Sequence, residues 1–141
     1  MNKPKFHTFQ KISSFHPELP TVIAPSIGNS TSEGKMQKIL GGYEKPMNYL
    51  VGSFEIRKLI GVVGLEIQGK TGIIKHIAVL PAYRLQGIGK ALIKHVIDHF
   101  FLKALHAETD EDAVDFYRKL KFACQPFEGL YGKRYKCNHR P

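Results

Sequence analysis

The sequence has no tryptophan, only two cysteines, and no apolar run long enough to span a bilayer. The opening MNKPKFHTFQ has no apolar signal-peptide core, so no membrane partner is expected and a cytoplasmic location is the expectation. Cys124 and Cys137 lack C-x-x-C spacing and lie in the C-terminal strand region. They read as reduced structural thiols rather than a disulfide framework or a zinc site. Acidic residues are also few, 12 against 21 lysines and arginines, giving a formal charge of +9. The basic residues run from Lys3 to Arg140 without a dense tract or an aromatic ladder between them. That pattern disfavours a nucleic-acid partner and suits a diffuse field toward a highly anionic small ligand or an acidic substrate. There is no G-x-G-x-x-G dinucleotide fingerprint and no G-x-x-x-x-G-K-[ST] P-loop. Repeats and linkers are absent too, and residues 1–141 read as one domain. The Asn29-Ser30-Thr31 sequon reads as chance.

What is present is an ordinary globular composition, 43% apolar and 23% charged. KFHTFQKI alternates and suits an edge strand; Pro17, Pro20 and Pro25 then break any long helix, leaving a short one around Thr21–Ala24. Ser30 with Glu33 has capping-box spacing, Met36, Ile39, Leu40 and Tyr43 recur at helical intervals, and Gly41-Gly42 supplies the stop. From Met47 to Val79 the pattern becomes that of strands. Tyr49–Ile56 carries Leu50, Phe54 and Ile56 on one face, Arg57-Lys58 turns, and Leu59–Ile67 follows, interrupted by Gly61 and Gly64. A turn over Gln68–Gly72 leads to Ile73–Leu80. Three such strands form an antiparallel meander.

The stretch from Ile73 to Phe101 then passes from a β-branched run through Pro81 and RLQGIG into an amphipathic helix. Ile88, Leu92, Val96 and Phe100, with Ile93, Ile97 and Phe101, form its apolar stripe. A glycine turn between a strand end and a helix start offers unpaired N–H groups at the positive end of a helix dipole, a place for phosphate oxygens. Gly87 and Gly89 allow close approach of an anion, and Arg84 and Lys90 bracket the turn. Close helix packing is the alternative reason for the glycines. His95 and His99 stand at i, i+4 with no third ligand nearby, so they read as a solvated helix face and no metal is expected. Leu102–Thr109 should return parallel to Ile73–Leu80. Thr109 with Asp112 suggests a capping box opening a helix from Glu111 to Leu120, with Ala113, Phe116, Tyr117 and Leu120 on its stripe. A final hairpin turns around Glu128-Gly129. The fold class is therefore α/β, a mixed sheet in which an antiparallel meander precedes a parallel strand pair with flanking helices. Ligands in such folds sit at the carboxyl ends of the parallel strands.

Arg84-Leu85-Gln86-Gly87-Ile88-Gly89 resembles the [RQ]-x-x-G-x-[GA] pyrophosphate loop of the GCN5-related N-acetyltransferase (GNAT) superfamily, and Ile77-Ala78-Val79-Leu80-Pro81 matches the strand end before that loop. Asp110-Glu111-Asp112-Ala113-Val114-Asp115-Phe116-Tyr117, followed by Lys119-Leu120-Lys121-Phe122, resembles its second signature, with Asp110 in place of Asn and Lys121 in place of Gly. The resemblance covers residues 47–137 well and the first 45 poorly. It implies transfer of an acetyl group from acetyl-CoA to a primary amine by direct attack. Arg84, Leu85, Gln86, Gly87, Ile88, Gly89 and Lys90 would hold the pyrophosphate, and main-chain groups of Ile77, Ala78 and Val79 the pantetheine, as an added strand. Asp110 and Phe116 are implied as further cofactor contacts. The Val79 N–H would face the thioester oxygen, and the Tyr117 phenol would protonate the leaving thiolate. On periodicity alone Tyr117 reads as a core residue on an apolar stripe.

The base is not assigned by the resemblance. Some members carry a glutamate where this chain has Ile73. His76, His106, Glu108 and Glu55 are the candidates, along with a water chain. The acceptor, a small-molecule or peptide amine, is not legible, and a homodimer stays open. Two other readings remain at this point: a non-catalytic acyl-CoA-binding or sensing domain, and a basic nucleic-acid-binding module.

Overall fold

The computed structural model describes residues 5–9, 16–27 and 32–141. Within these lie strands β1 (Lys5–Phe9), β2 (Asn48–Glu55), β3 (Lys58–Gln68), β4 (Thr71–Val79), β5 (Ala104–Thr109), β6 (Ala123–Gly129) and β7 (Gly132–His139). They form one seven-stranded sheet in the order β1-β2-β3-β4-β5-β7-β6. Every neighbouring pair is antiparallel except β4 and β5, which run parallel as the helical crossover between them requires. Helices α1 (Leu19–Ile23), α2 (Glu33–Gly41), α3 (Ile88–Phe100) and α4 (Val114–Lys119) complete the fold.

The sheet is buried on both faces at its centre. Leu50, Val62 and Ala78 pack with Leu19, Val22 and Ile23 of α1 and with Met36 and Leu40 of α2. Val51, Val63 and Leu65 pack with Leu92, Ile93 and Val96 of α3 and with Val114 and Tyr117 of α4. Leu92 and Val96 have no exposed surface, and each such side chain contributes about 1.5–3 kcal/mol of transfer free energy. Because both faces are covered, β2 is buried through Leu50–Ser53 instead of alternating in and out. Ile56, expected on the core face of β2, is 74% exposed and has φ 58°, so it belongs to the turn into β3.

Local chemistry departs from expectation at several helix ends. The short helix expected near Thr21–Ala24 is α1, which starts two residues earlier because Pro20 lies in its first turn, where its missing N–H costs nothing. Ser30 lies outside the described residues; Ser32 is the residue that caps α2, its Oγ accepting from the Lys35 N–H at 3.1 Å. Gly41 and Gly42 stay right-handed, and α2 tightens into a 3₁₀ turn over Gly42–Glu44 instead of stopping at a left-handed glycine. Phe101 is the left-handed residue that ends α3, and its side chain is largely exposed rather than on the stripe. The Thr109–Asp112 box does not form. Thr109 belongs to β5, and Asp110 Oδ1 accepts from the Ala113 N–H at 3.0 Å, so α4 begins later, at Val114. The last hairpin turns at Leu130-Tyr131, and β7, not β6, lies beside β5.

Lys121 closes α4 in the left-handed region, φ 71°, while the Phe122 N–H bonds the Tyr117 carbonyl at 3.0 Å. This is the helix-ending geometry that glycine adopts without strain. Lys121→Gly should therefore raise unfolding free energy by about 0.5–1 kcal/mol, the relief of a left-handed β-carbon less the entropy of glycine. Urea denaturation measures this, and a lowered midpoint would contradict it.

Candidate active site

Strands β4 and β5 pair only from Thr71 and Ala104 to Ile74 and Ala107. Beyond Ile74 the two strands part, and a groove of about 1030 Å³ opens over the second half of β4. The parting coincides with a bulge. Leu65 pairs with Ile74 but Gly64 pairs with His76, so Lys75 is an extra residue on β4. Bulges bend the strand that carries them. Farther along, the Leu80 N–H bonds the Ile60 carbonyl on β3 at 2.8 Å. Alternation along an antiparallel strand then turns the main-chain groups of Ile77 and Val79 the other way, toward the groove. The Val79 carbonyl is found there, accepting from Arg84 Nε at 3.0 Å.

The chain leaves β4 through a 3₁₀ turn at Pro81–Tyr83 and enters α3 through two left-handed residues, Leu85 (φ 63°) and Gly87 (φ 79°). Leu85 is 97% exposed at the tip. No side chain caps α3, and no acidic residue occupies its first turn. Its N-terminus thus keeps the positive end of its dipole and its orphan N–H groups facing the groove, with Arg84 and Lys90 on the groove wall. Gly87 is needed for its conformation, since a β-carbon there would meet nothing within 4 Å. Gly89 has a neighbour that the sequence did not reveal: a β-carbon would lie 2.8 Å from the Phe116 ring. The second glycine lets α4 close against the start of α3. Gln86 does not line the groove; its Nε2 donates back to the Ala82 carbonyl at 3.2 Å.

Ile77, Ala78, Val79, Arg84, Leu85, Gly87, Ile88, Gly89, Lys90, Asp110, Phe116 and Tyr117 all border this one groove. Residues from two sequence signatures are therefore brought together by the parallel pair. Tyr117 is nearly buried, and burial pushes its phenol well above the ordinary tyrosine range, with the two cysteine thiols adding to the rise. It is a proton donor throughout neutral pH. Cys124 and Cys137 are free and face each other across β6 and β7. The Cys137 thiol is pushed up to about 12, first by burial and then by Cys124, so it stays protonated as expected of a structural thiol.

Of the base candidates, His76 and Glu108 border the groove, whereas His106 and Glu55 do not. His106 Nδ1 is bonded to Asn138 Oδ1 across β5 and β7. Ile73 is likewise outside the lining. Tyr43 went unnoticed in the sequence as a site residue; its hydroxyl is bonded to His76 Nδ1 from the 3₁₀ turn after α2. Ser26, Ile27 and Arg134 also border the groove. Among the described residues no three His, Cys, Asp or Glu side chains could hold a metal ion, and no helix is long and apolar enough to cross a membrane. His95 packs on Phe6, ring centroids 4.2 Å apart, and on His99 at 5.3 Å, so this pair is partly covered rather than fully solvated.

A mixed sheet that splits between parallel strands, with an uncapped helix aimed into the split, defines the class. The profile of the acetyltransferase (GNAT) family matches residues 24–122. The chain belongs to that family of acyltransferases. Solved structures give the same fold. The ribosomal-protein-S18-alanine N-acetyltransferase from Escherichia coli superposes with TM-score 0.75 at 16% identity, covering 98% of this chain and 94% of that one. A GNAT family acetyltransferase from Elizabethkingia anophelis with acetyl-CoA bound gives 0.70 at 18%, covering 100% of both chains. A Bacillus subtilis acetyltransferase in complex with CoA gives 0.74 at 15%, covering 99% of both. A search of curated protein sequences gave no match.

Gly89→Ala should push Phe116 away from α3 and cost about 1–3 kcal/mol, the usual range for overpacking. Gly42→Ala, where a β-carbon meets nothing within 4 Å and the backbone is right-handed, should stay within about 0.5 kcal/mol of the parent. Thermal unfolding of the two variants checks the contrast. Equal effects would refute the Phe116 contact as the reason for Gly89.

Proposed function

We propose that this chain transfers an acetyl group from acetyl-CoA to a primary amine by direct attack, within the groove between β4 and β5. The observation that carries the reading is the coincidence of two features: the groove-facing side of β4 at Ile77 and Val79, which β5 does not pair, and the uncapped N-terminus of α3 beside Arg84 and Lys90. The first matches an extended amide-bearing arm, the second a pyrophosphate. Acetyl-CoA supplies both, together with an activated thioester carbonyl.

In this reading the N–H groups at Gly87–Lys90 bind phosphate oxygens, and Arg84 and Lys90 add fixed charge. Arg84 also holds the Val79 carbonyl at 3.0 Å, which stiffens the strand end that receives the pantetheine. The Val79 N–H donates to the thioester oxygen as negative charge builds on it. Tyr117 gives its proton to the sulfur as the carbon–sulfur bond breaks. A phenol held above its ordinary range by burial is fully protonated at pH 7, so the proton is in place when the thiolate departs. Asp110 and Phe116 border the same groove and shape its wall beside α3. The acceptor is a small-molecule or peptide amine. The similarity in fold to an enzyme named for a ribosomal protein's alanine supports a protein α-amine as one class to assay. A non-catalytic acyl-CoA sensor is the second reading, supported by Ile73 standing where a carboxylate base occurs in some relatives of this fold.

Tyr117→Phe should lower kcat by about 10²-fold or more with coenzyme A affinity unchanged, since only the transferable proton is removed. Gly87→Glu should abolish coenzyme A binding through strain and charge repulsion at the phosphate site. Calorimetry with coenzyme A and a thiol-release assay read the two effects. Turnover by Tyr117→Phe equal to the parent across pH 6–9 would remove the phenol from the mechanism.

A further inference from the structure

We infer that His76 is the general base of this site, accepting the amine's proton at Nε2 while Tyr43 holds its Nδ1. The inference rests on the acetyl-transfer reading above and deepens it by naming the residue that reading lacks.

The arrangement is built from three separate stretches of the chain. His76 follows the extra residue of the β4 bulge, at the point where β4 leaves β5. Directly across on β3 is Gly64, and a β-carbon there would lie 2.0 Å from the Tyr43 hydroxyl. The absence of a side chain at Gly64 is what seats the phenol. From that seat the Tyr43 hydroxyl bonds His76 Nδ1, and the two rings meet edge to face with centroids 5.8 Å apart. The second ring nitrogen, Nε2, has no partner among the described residues, and His76 borders the groove. Any ordinary side chain at Gly64 would abolish the contact. The seat therefore accounts for a glycine in the middle of a central strand, where glycine otherwise weakens the sheet.

The chemistry requires one tautomer. With Nδ1–H donating to the Tyr43 oxygen, Nε2 carries the lone pair. As the acceptor nitrogen forms its bond to the thioester carbon, Nε2 takes the proton that nitrogen must lose. As the carbon–sulfur bond breaks, Tyr117 protonates the sulfur. One proton enters at His76 and one leaves at Tyr117, and exchange through solvent resets both. Among the described residues, Tyr43 stands against His76 from the turn after α2, Lys75 from β4 itself and Gly64 from β3. Glu108 borders the same groove from β5, and Arg84, Lys90, Asp110 and Arg134 border it elsewhere; Pro25, Ser26 and Ile27 bring no titratable group. Burial first, and Lys75 second, hold the imidazole below its ordinary range, so at neutral pH it is unprotonated and able to accept. Burial keeps Tyr43 a neutral phenol over the same range. Tyr43 is a positioning residue, and His76 the catalytic one.

The decisive measurement needs no knowledge of the acceptor. Imidazole ¹⁵N shifts of His76 in the coenzyme A complex, assigned by loss of the signal in His76→Gln, should report the Nδ1–H tautomer and a midpoint below the ordinary histidine range. In Tyr43→Phe, and equally in Gly64→Ala, the two tautomers should mix and the midpoint should move. Thiol release is then followed with an alanine-starting hexapeptide, spermidine, kanamycin and water as acceptors, taking the fastest. His76→Gln should lower kcat by about 10²–10⁴-fold and leave the coenzyme A Kd within twofold, while Glu108→Gln keeps most of its rate. An Nε2–H tautomer in the parent protein overturns the assignment. So does a His76→Gln rate within threefold of the parent with normal coenzyme A binding, or a collapse confined to Glu108→Gln. A parent protein that binds no coenzyme A overturns the acetyl-transfer reading itself, and with it this assignment.

Discussion

Everything in this molecule depends on the parting of β4 from β5. Two parallel strands joined by a helix would ordinarily pair along their length and satisfy each other's main-chain groups. Here they pair from Thr71 to Ile74 and no farther. The next residues of β4 keep their bonds to β3 on one side and present amides and carbonyls to a groove on the other. Unpaired main chain in a fold's interior is costly unless something bonds it. The Arg84 side chain, folded back onto the Val79 carbonyl, already meets part of that cost. A ligand carrying its own amides can meet the rest. On the proposed reading the void receives the pantetheine as an extra strand, and the strand order leaves it at the middle of the sheet rather than at an edge.

The helix that follows β4 also supplies the second half of the site. Because α3 starts at Gly87 without a capping side chain or a nearby acid, its dipole and orphan N–H groups are directed outward at the groove. Phe116 on α4 fits against Gly89, so the two helices that border the groove are fixed to each other by a contact only glycine permits. A similar device recurs on the other face of the sheet, where Gly64 admits the Tyr43 hydroxyl to His76. In both cases a missing β-carbon on one element makes room for an aromatic ring from another, Phe116 on the groove wall and Tyr43 against His76.

The meander, the parallel pair and α3 were legible because period-2 and period-3.6 apolar patterns report local burial directly. So was the convergence of Arg84–Lys90 with Asp110–Tyr117, since both stretches follow the parallel strands. Other features depended on contacts distant in sequence. Tyr43 and His76 are 33 residues apart, and nothing in the stripe Met36, Ile39, Leu40, Tyr43 says that its last member turns a hydroxyl to a histidine. The bulge at Lys75 is a register decision made between two strands, not a property of either. The seat of β7 between β5 and β6 is likewise set by long-range pairing. Helix ends were misread where a side chain found a closer bond: Asp110 captured the Ala113 N–H and delayed α4, and Ser32 is the cap of α2. Lys121 shows the opposite case, a position whose geometry asks for glycine and holds a strained lysine.

Amide shifts in a coenzyme A titration followed by ¹H–¹⁵N correlation spectra test the role of the split sheet most directly. The largest changes should fall on Ile77, Val79 and Gly87–Lys90, with Gly61 and Val63 on the paired side of β4 nearly still. Coenzyme A binding that leaves the β4 end and the start of α3 unmoved would contradict it.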